Sequence, residues 1–268
     1  MESTAAPKSA SSSSSSLTHR PDGRASGGTL RPLSCELGLL PRADGSASFK
    51  AGSTHVLCGV YGPIAPKLSV QEDWSKATLS VIMTQAQSHE SMLSQVLEGC
   101  ILVEKFPRTV IEIVVQVVQD DGSVLACAIH AIVCALMDAG IPMRHLPIAT
   151  TCCFVASNDD TLQLDPIKEE EEGAAATGKR ELSLDNNNNS TQPTVMTLIQ
   201  ACGGPTGDGN KKKLLGTTME GGGQMSLETL LRCEGAASRA SIAVVTFIRM
   251  AMEQKVTKQS ETLLSSYQ

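Results

Sequence analysis

Between Thr109 and Gly140 the spacing of apolar residues changes period, and the change predicts a strand, a turn and a helix. In TVIEIVVQVV, Ile111, Ile113, Val115 and Val117 share one face while Val110, Val114 and Val118 dominate the other, the pattern of a central strand covered on both sides. Gln119-Asp120-Asp121-Gly122-Ser123 carries turn residues. Ser123 is placed to cap a helix whose Leu125, Ala128, Ile129, Ile132, Ala135, Leu136 and Ala139 recur at helical spacing. Gly140 and Pro142 end that helix. A helix start behind a Gly-containing turn presents free N–H groups to an anion, although most such turns only connect two elements.

Upstream, the pattern predicts a three-strand meander at Pro32–Leu37, Ser46–Lys50 and Thr54–Tyr61, with turns at Ala43-Asp44-Gly45 and Ala51-Gly52. A strand at Ala77–Thr84 and a helix over Glu90–Phe106 follow. Downstream, IATTCCFVA has the composition of a buried strand with a short partner at Thr161–Asp165. Two more strands are predicted at Thr194–Gln200 and near Lys213–Thr218, separated by a Gly-rich loop. The closing helix is predicted from a Ser226 cap to about Lys255, with Leu227, Leu230, Leu231, Ala237, Ala240, Val244, Ile248, Ala251 and Met252 in its buried stripe.

Composition divides the chain. Residues 1–29, with the run Ser11–Ser16, are predicted to be a disordered tail, and residues 30–258 one domain. That domain is interrupted at about 166–193, where Glu169–Glu172 and Asn186–Asn189 predict a solvated insertion without a core of its own. Residues 259–268 are predicted to fray. With 268 residues, 41% hydrophobic, the chain can bury one sizeable core or two small lobes. A net charge of −6 with only 19% charged residues rules against a global grip on nucleic acid, so any RNA contact must be local. Four Phe, two Tyr and one Trp are too few for a sheet that stacks bases. Nine cysteines include no Cys-x-x-Cys, so no zinc site is spelled out. Cys58, Cys100, Cys127, Cys134 and Cys202 lie in apolar runs and are expected to be buried thiols of a reducing compartment. No apolar run approaches the ~20 residues that span a bilayer, and a soluble, intracellular protein is expected.

Arg31-Pro32, Ala43-Asp44-Gly45-Ser46-Ala47, Gly52, Val60-Tyr61-Gly62-Pro63 and the segment VVQDDGSVLACAIHAIVCALMDAGIPM at Val117–Met143 resemble the RNase PH family in order and spacing. CELGLLPRADGSASF, GVYGP, KATLSV, ALMDAGIPMR and Leu164-Asp165-Pro166 narrow the resemblance to the ring subunits of the eukaryotic RNA exosome. The resemblance implies an α+β fold, the RNase PH-like fold (ribosomal protein S5 domain 2-like), with duplicated βαβα-type mixed sheets packed with helices. It also implies subunit pairs joined into a six-membered ring around a channel for single-stranded RNA. The implied partners are neighbouring RNase PH-like exosome subunits, especially of the ribosomal-RNA-processing protein 43 type, cap proteins with S1 or KH modules, and associated ribonucleases. The implied locations are nucleus, nucleolus and cytoplasm.

Active members of the family cleave the RNA 3′ end with inorganic phosphate, which needs a cation to hold the anionic nucleophile and carboxylates for metal or proton work. In their active turn Gly-Thr-Arg follows Asp-Gly. Here Asp121-Gly122 is followed by Ser123-Val124-Leu125, which puts Leu125 at the arginine position. An aliphatic chain cannot replace a guanidinium. Gly122, Ser123 and Leu125 therefore mark a degenerate phosphate site. The catalytic aspartate position falls near Thr191, and the other carboxylate aligns with Glu171 or with Asp185 according to where the insertion is placed. Ser91–Glu104 holds no Lys or Arg, with Gln95 where an RNA-facing arginine is expected.

The resemblance with these departures implies a non-catalytic ring subunit, with no catalytic residue, metal or cofactor. The alternatives are an active phosphate-dependent or metal-dependent 3′ exoribonuclease, and a homo-oligomeric binding module outside the exosome. Lys211, Lys212, Lys213, Arg108 and Arg42 are the candidate RNA contacts; charged strand edges and ion pairs are the structural reading of the same residues. Glu169–Glu172 are expected to be solvated, and His130 to be a core or partly exposed histidine rather than a catalytic base.

Overall fold

The computed structural model describes residues 20–24, 27–66, 72–85, 87–155, 161–172, 194–203, 213–220 and 226–266. The meander forms β1 (Leu33–Leu37), β2 (Gly45–Ala51) and β3 (Thr54–Ile64). β4 (Thr78–Thr84), α1 (Glu90–Cys100), β5 (Val110–Gln119) and α2 (Val124–Asp138) follow. The second half comprises β6 (Leu146–Val155), β7 (Thr161–Leu164), β8 (Thr194–Cys202), β9 (Lys213–Glu220) and α3 (Leu227–Ser266). Two sheets result, with strand orders β1-β2-β3-β5-β4 and β7-β6-β8-β9. Neighbours pair antiparallel except β4 and β5, which run parallel because α1 carries the chain across between them.

α2 is the centre of this arrangement. It is apolar at nearly every position, so it must be buried all round rather than on one stripe. Residues Leu125–Leu136 are all buried, between β2 and β3 of the first sheet and β6 of the second. The contact with β2 is close. A Cβ on Gly45 would lie 2.4 Å from the Ala135 carbonyl oxygen, inside van der Waals contact. Gly45→Ala is therefore expected to destabilise the fold by roughly 2–3 kcal/mol, read as a lowered urea midpoint. A large core surrounds α2, and a smaller one, with Met196, Leu198 and Cys233, lies under α3. The five cysteines expected to be buried are buried.

Four expectations about the strands and helices need correction. The second face of β5 is covered only at its start: Ile111, Ile113, Val115 and Val117 are buried on the first face, whereas on the second Val110 is buried, Val114 half-buried and Val118 exposed. α1 stops at Cys100 rather than Phe106. Ile101 turns extended and bridges to Met143, tying the chain to the end of α2, and Pro107 disfavours helix just before it. In α3 the buried stripe is built from Cys233, Ala236, Ala237, Ala240, Val244 and Ile248, small residues where the helix crosses β6 and β8, while Leu227 and Leu231 are exposed. The helix also runs on to Ser266 through the segment expected to fray, which contains good helix formers and neither Gly nor Pro. Among the described residues no helix is long and apolar enough to cross a membrane.

Candidate functional site

A cleft of about 220 Å³ opens where the end of β5, the head of α2 and strands β8 and β9 converge. Asp120, Ser123, Val124, Leu125, Thr151, Glu171, Thr197 and Glu220 line it, with His89 from the start of α1. The turn that enters α2 is tightly folded: Gly122 has φ +81°, and a Cβ there would lie 2.7 Å from the Pro166 carbonyl oxygen. Ser123 is itself left-handed, with φ 54°. Its hydroxyl does not cap the helix as expected. It donates instead to the Pro166 carbonyl at 3.0 Å, while the Ser123 amide donates to Glu171 Oε1 at 2.8 Å. A carboxylate from a distant segment thus occupies the anion position at the head of α2.

That segment corrects the solvated reading of Glu169–Glu172. Residues 168–172 form a helical turn behind the buried Ile167. Glu169 and Glu172 are exposed, but Glu170 and Glu171 turn inward because each meets a buried donor. Burial raises Glu171, the Ser123 amide lowers it, Glu220 and Asp120 raise it and Arg31 lowers it; the balance leaves its pKa at about 7.

Arg31 braces the site from behind. Its backbone amide and Nε donate to Asp165 Oδ2 at 2.9 and 3.0 Å, and Nη2 to Asp165 Oδ1 at 2.7 Å. Nη1 reaches the Asp121 carbonyl at 2.7 Å and Thr54 Oγ1 at 3.1 Å, and Nη2 the Gly122 carbonyl at 3.2 Å. One guanidinium therefore fixes the turn before α2, the start of β3 and the end of β7. Burial pushes the Asp165 carboxyl up, but the bonds and charge of Arg31 prevail and hold it below its ordinary value. In the sequence both residues stand out only as parts of the resemblance; an arginine and an aspartate 134 positions apart give no local signal that they meet.

The sequence candidates fall into two groups. Ser123 and Leu125 line the cleft, with Gly122 in the turn just before them packed against Pro166, and Leu125 packs into the core there. Arg42, Arg108 and Lys213 lie elsewhere. Arg42 is exposed in the turn between β1 and β2. Arg108 precedes β5, at the end opposite the cleft, about 30 Å away along the strand's 10 residues at ~3.3 Å each. Its guanidinium pairs with Glu72 and lies 5.8 Å from the Trp74 ring. Lys213 begins β9, whose other end carries Glu220 into the cleft. Gln95 is exposed on α1. His130 lies in the core with its ring 5.2 Å from that of Phe49, and burial lowers its pKa to about 4. Lys211, Lys212, Asp185 and Thr191 lie outside the described residues.

Residues 29–142 match the model of the 3′ exoribonuclease family, domain 1, the RNase PH domain. The "Exosome complex exonuclease RRP46 homolog" of Arabidopsis thaliana is 40% identical over 165 residues, 59% of this chain and 67% of that protein. The chain belongs to the RNase PH family. The "Exosome complex component rrp46" of Schizosaccharomyces pombe is 39% identical over 125 residues, 43% of this chain and 55% of that protein. The crystal structure of rice Rrp46 superposes with a TM-score of 0.70 at 30% identity, covering 87% of this chain and all of that one. An archaeal exosome core shares the fold at a TM-score of 0.60 and 18% identity, covering 85% of this chain and 90% of that one. The α+β, RNase PH-like fold expected from the resemblance is the fold observed, and the narrower likeness to the Rrp46 branch of the family holds as well.

Proposed function

We propose that this chain is a non-catalytic ring subunit of an RNA exosome. It would supply two subunit interfaces and part of the channel wall while associated ribonucleases degrade RNA from 3′ to 5′, ribosomal RNA processing included. The observation that carries this reading is the charge of the cleft. Its described lining contains Asp120, Glu171 and Glu220 and neither Lys nor Arg, with Leu125 where the family's arginine would stand. Phosphorolysis requires an anionic phosphate beside an anionic RNA backbone, and carboxylates with no permanent cation repel both. The one amide best placed to receive phosphate already holds Glu171.

Several surfaces suit a subunit that is covered in an assembly. The outer face of β5 exposes Val118, and Ile82 on β4, opposite the half-buried Val114, is exposed farther along it. Among the described residues β4 and β9 are edge strands, each with one unpaired side in its sheet. The partners proposed are a neighbouring RNase PH-like subunit of the ribosomal-RNA-processing protein 43 type, S1 or KH cap proteins and the associated ribonucleases, in nucleus, nucleolus and cytoplasm. Arg42, Arg108 and Lys213, distant from the cleft, are the proposed contacts to RNA in the channel, where phosphate is held without sequence readout.

The test mixes purified, nuclease-free chain with that neighbour, measures mass by light scattering, and offers labelled RNA with phosphate and Mg²⁺. A heterodimer without cleavage is expected. Phosphate-dependent release of nucleoside diphosphates, lost in Glu171→Gln, would sink the reading. A chain that forms only homo-oligomers would favour a module outside the exosome.

A further inference from the structure

All nine cysteines are free thiols, and Cys35 alone is not buried. Alternation along β1 turns Leu33, Cys35 and Leu37 towards the core around α2 and leaves Ser34 and Glu36 exposed on the other face. Two contacts fix what lies opposite Cys35. Cys127 Sγ donates to the Phe49 carbonyl at 3.4 Å, and Gly45 lies against the Ala135 carbonyl, so α2 runs antiparallel to β2. Cys134, two turns beyond Cys127 on the same face of α2, falls between those contacts, and Cys35 is the cross-strand partner of Phe49. The two thiols meet there, with the Cys134 S–H donated to the Cys35 sulfur.

That bond acts on its two ends in opposite senses. It holds the Cys35 thiol below its ordinary value of 9.0, against burial and the neighbouring Glu36 carboxylate. It raises Cys134, and burial and the nearby Cys35, Cys58 and Cys127 add to the rise. The thiol nearer solvent is therefore the readier nucleophile, with a second, sealed thiol in contact behind it. Cys152 of β6 and Cys233 of α3 are also bonded to each other, but both are fully buried and give an oxidant no entrance. Exposure separates the two pairs.

We propose that Cys35 and Cys134 are a peroxide-sensitive modification site, Cys35 meeting the oxidant and Cys134 closing a disulfide that clips β1 to α2. The Cys35 thiolate attacks one oxygen of hydrogen peroxide, the O–O bond breaks, and the departing hydroxide takes up the proton that Cys35 released, giving water. Cys35 is then a sulfenic acid. The Cys134 sulfur attacks the Cys35 sulfur, the S–S bond forms as the S–O bond breaks, and hydroxide leaves with the Cys134 proton as a second water. Two thiols have given two electrons to one peroxide. Among the described residues β1 pairs with β2 alone, so this edge strand is free to make the short approach that the bond requires. Neither cysteine lines the cleft, and the site stands whatever the part played by the chain in a ring.

The test treats the full chain with a small excess of hydrogen peroxide, alkylates the remaining thiols in denaturant, and maps the products by mass spectrometry. Two of the nine thiols are expected to be lost and recovered with dithiothreitol, and fragmentation should place the link between Cys35 and Cys134 rather than Cys127. The bond closes a loop of about 100 residues in the unfolded chain, so the urea midpoint of the oxidised chain is expected to rise by about 1 M. Cys35→Ser, at a half-buried position, is expected to fold and to lose both the link and the rise. Cys134→Ala should stop at the Cys35 sulfenic acid, trapped by dimedone; should that variant not fold, the map and Cys35→Ser decide. The site is overturned if peroxide leaves all nine thiols, joins Cys152 to Cys233 or one chain to another instead, or gives the same link and rise in Cys35→Ser. A linked chain that unfolds at the same urea concentration as the reduced one would overturn the clip.

Discussion

Arg31→Ala is expected to lose about 3–5 kcal/mol of folding stability, the usual result of removing one partner from a buried ion pair. The loss is more than a missing contact. Asp165, 7% exposed, would keep a carboxylate in the interior without its counter-ion, and the Asp121 and Gly122 carbonyls and Thr54 Oγ1 would each lose a donor. Water cannot easily take their place, because Pro166 and Ile167 close directly over Gly122. Arg31→Lys is expected to recover only part of the loss, since a single ammonium cannot reach two carboxylate oxygens and three further acceptors at once.

Urea unfolding at neutral pH measures the effect, and a loss below about 1 kcal/mol would show that the pair is no more than a surface bridge. The pH dependence has a fixed sign. Asp165 is held below its ordinary pKa of 3.8, so the stability it contributes is fully present above that value. It is lost as pH falls through the lower, folded value, and acid unfolding of the unaltered chain should steepen in that window while Arg31→Ala should lack this component.

What the sequence reveals and conceals here follows from the range of each interaction. β2, β3, β5 and α2 are legible because their apolar periods, Gly turns and terminators are local properties of the chain. The nine strands and two sheets of the described residues require pairings between distant segments, and the resemblance supplies these where periodicity cannot. The second face of β5 misleads because Val114 and Val118 look like core valines, and nothing local shows that no described element of this chain covers them. The capping of α2 fails for a related reason. Ser123 is a proper cap by residue type, yet its left-handed backbone aims the hydroxyl at Pro166 and leaves the amide to Glu171, 48 residues away. Four glutamates beside a low-complexity stretch have the composition of a solvated run. Arg20, reached across 150 residues, makes Glu170 an interior group, and the Ser123 amide, 48 residues away, does the same for Glu171.

Glu171→Gln is expected to stabilise the protein above neutral pH and to change little near pH 5. The pKa of Glu171 rises from 4.5 unfolded to about 7 folded, so between these values the folded chain holds a proton that the unfolded chain has released. A raised carboxyl favours folding only while it is protonated. Its contribution is therefore fully present below 4.5, declines as pH rises, and above about pH 7 settles at a penalty of about 3 kcal/mol, from ~1.4 kcal/mol for each tenfold change in proton affinity. The positive end of α2 works the other way, favouring the anion by about 0.3–1 kcal/mol, which is too little to cancel burial beside Glu220 and Asp120. Glutamine keeps an oxygen for the Ser123 amide and removes the charge, so at pH 8 a gain of about 2 kcal/mol remains after the helix contribution is subtracted. Denaturation of both chains at pH 5 and pH 8 measures it, and a variant less stable than the unaltered chain at pH 8 would mean that the head of α2 demands an anion more strongly than the cleft resists one. The expected gain has a functional meaning: at neutral pH the chain carries Glu171 in this place at a cost to its own stability. A group kept against its own electrostatics must be held by something else: the Ser123 amide bonds Glu171 directly, and the bonds of Arg20 to Glu170 fix the turn that carries it.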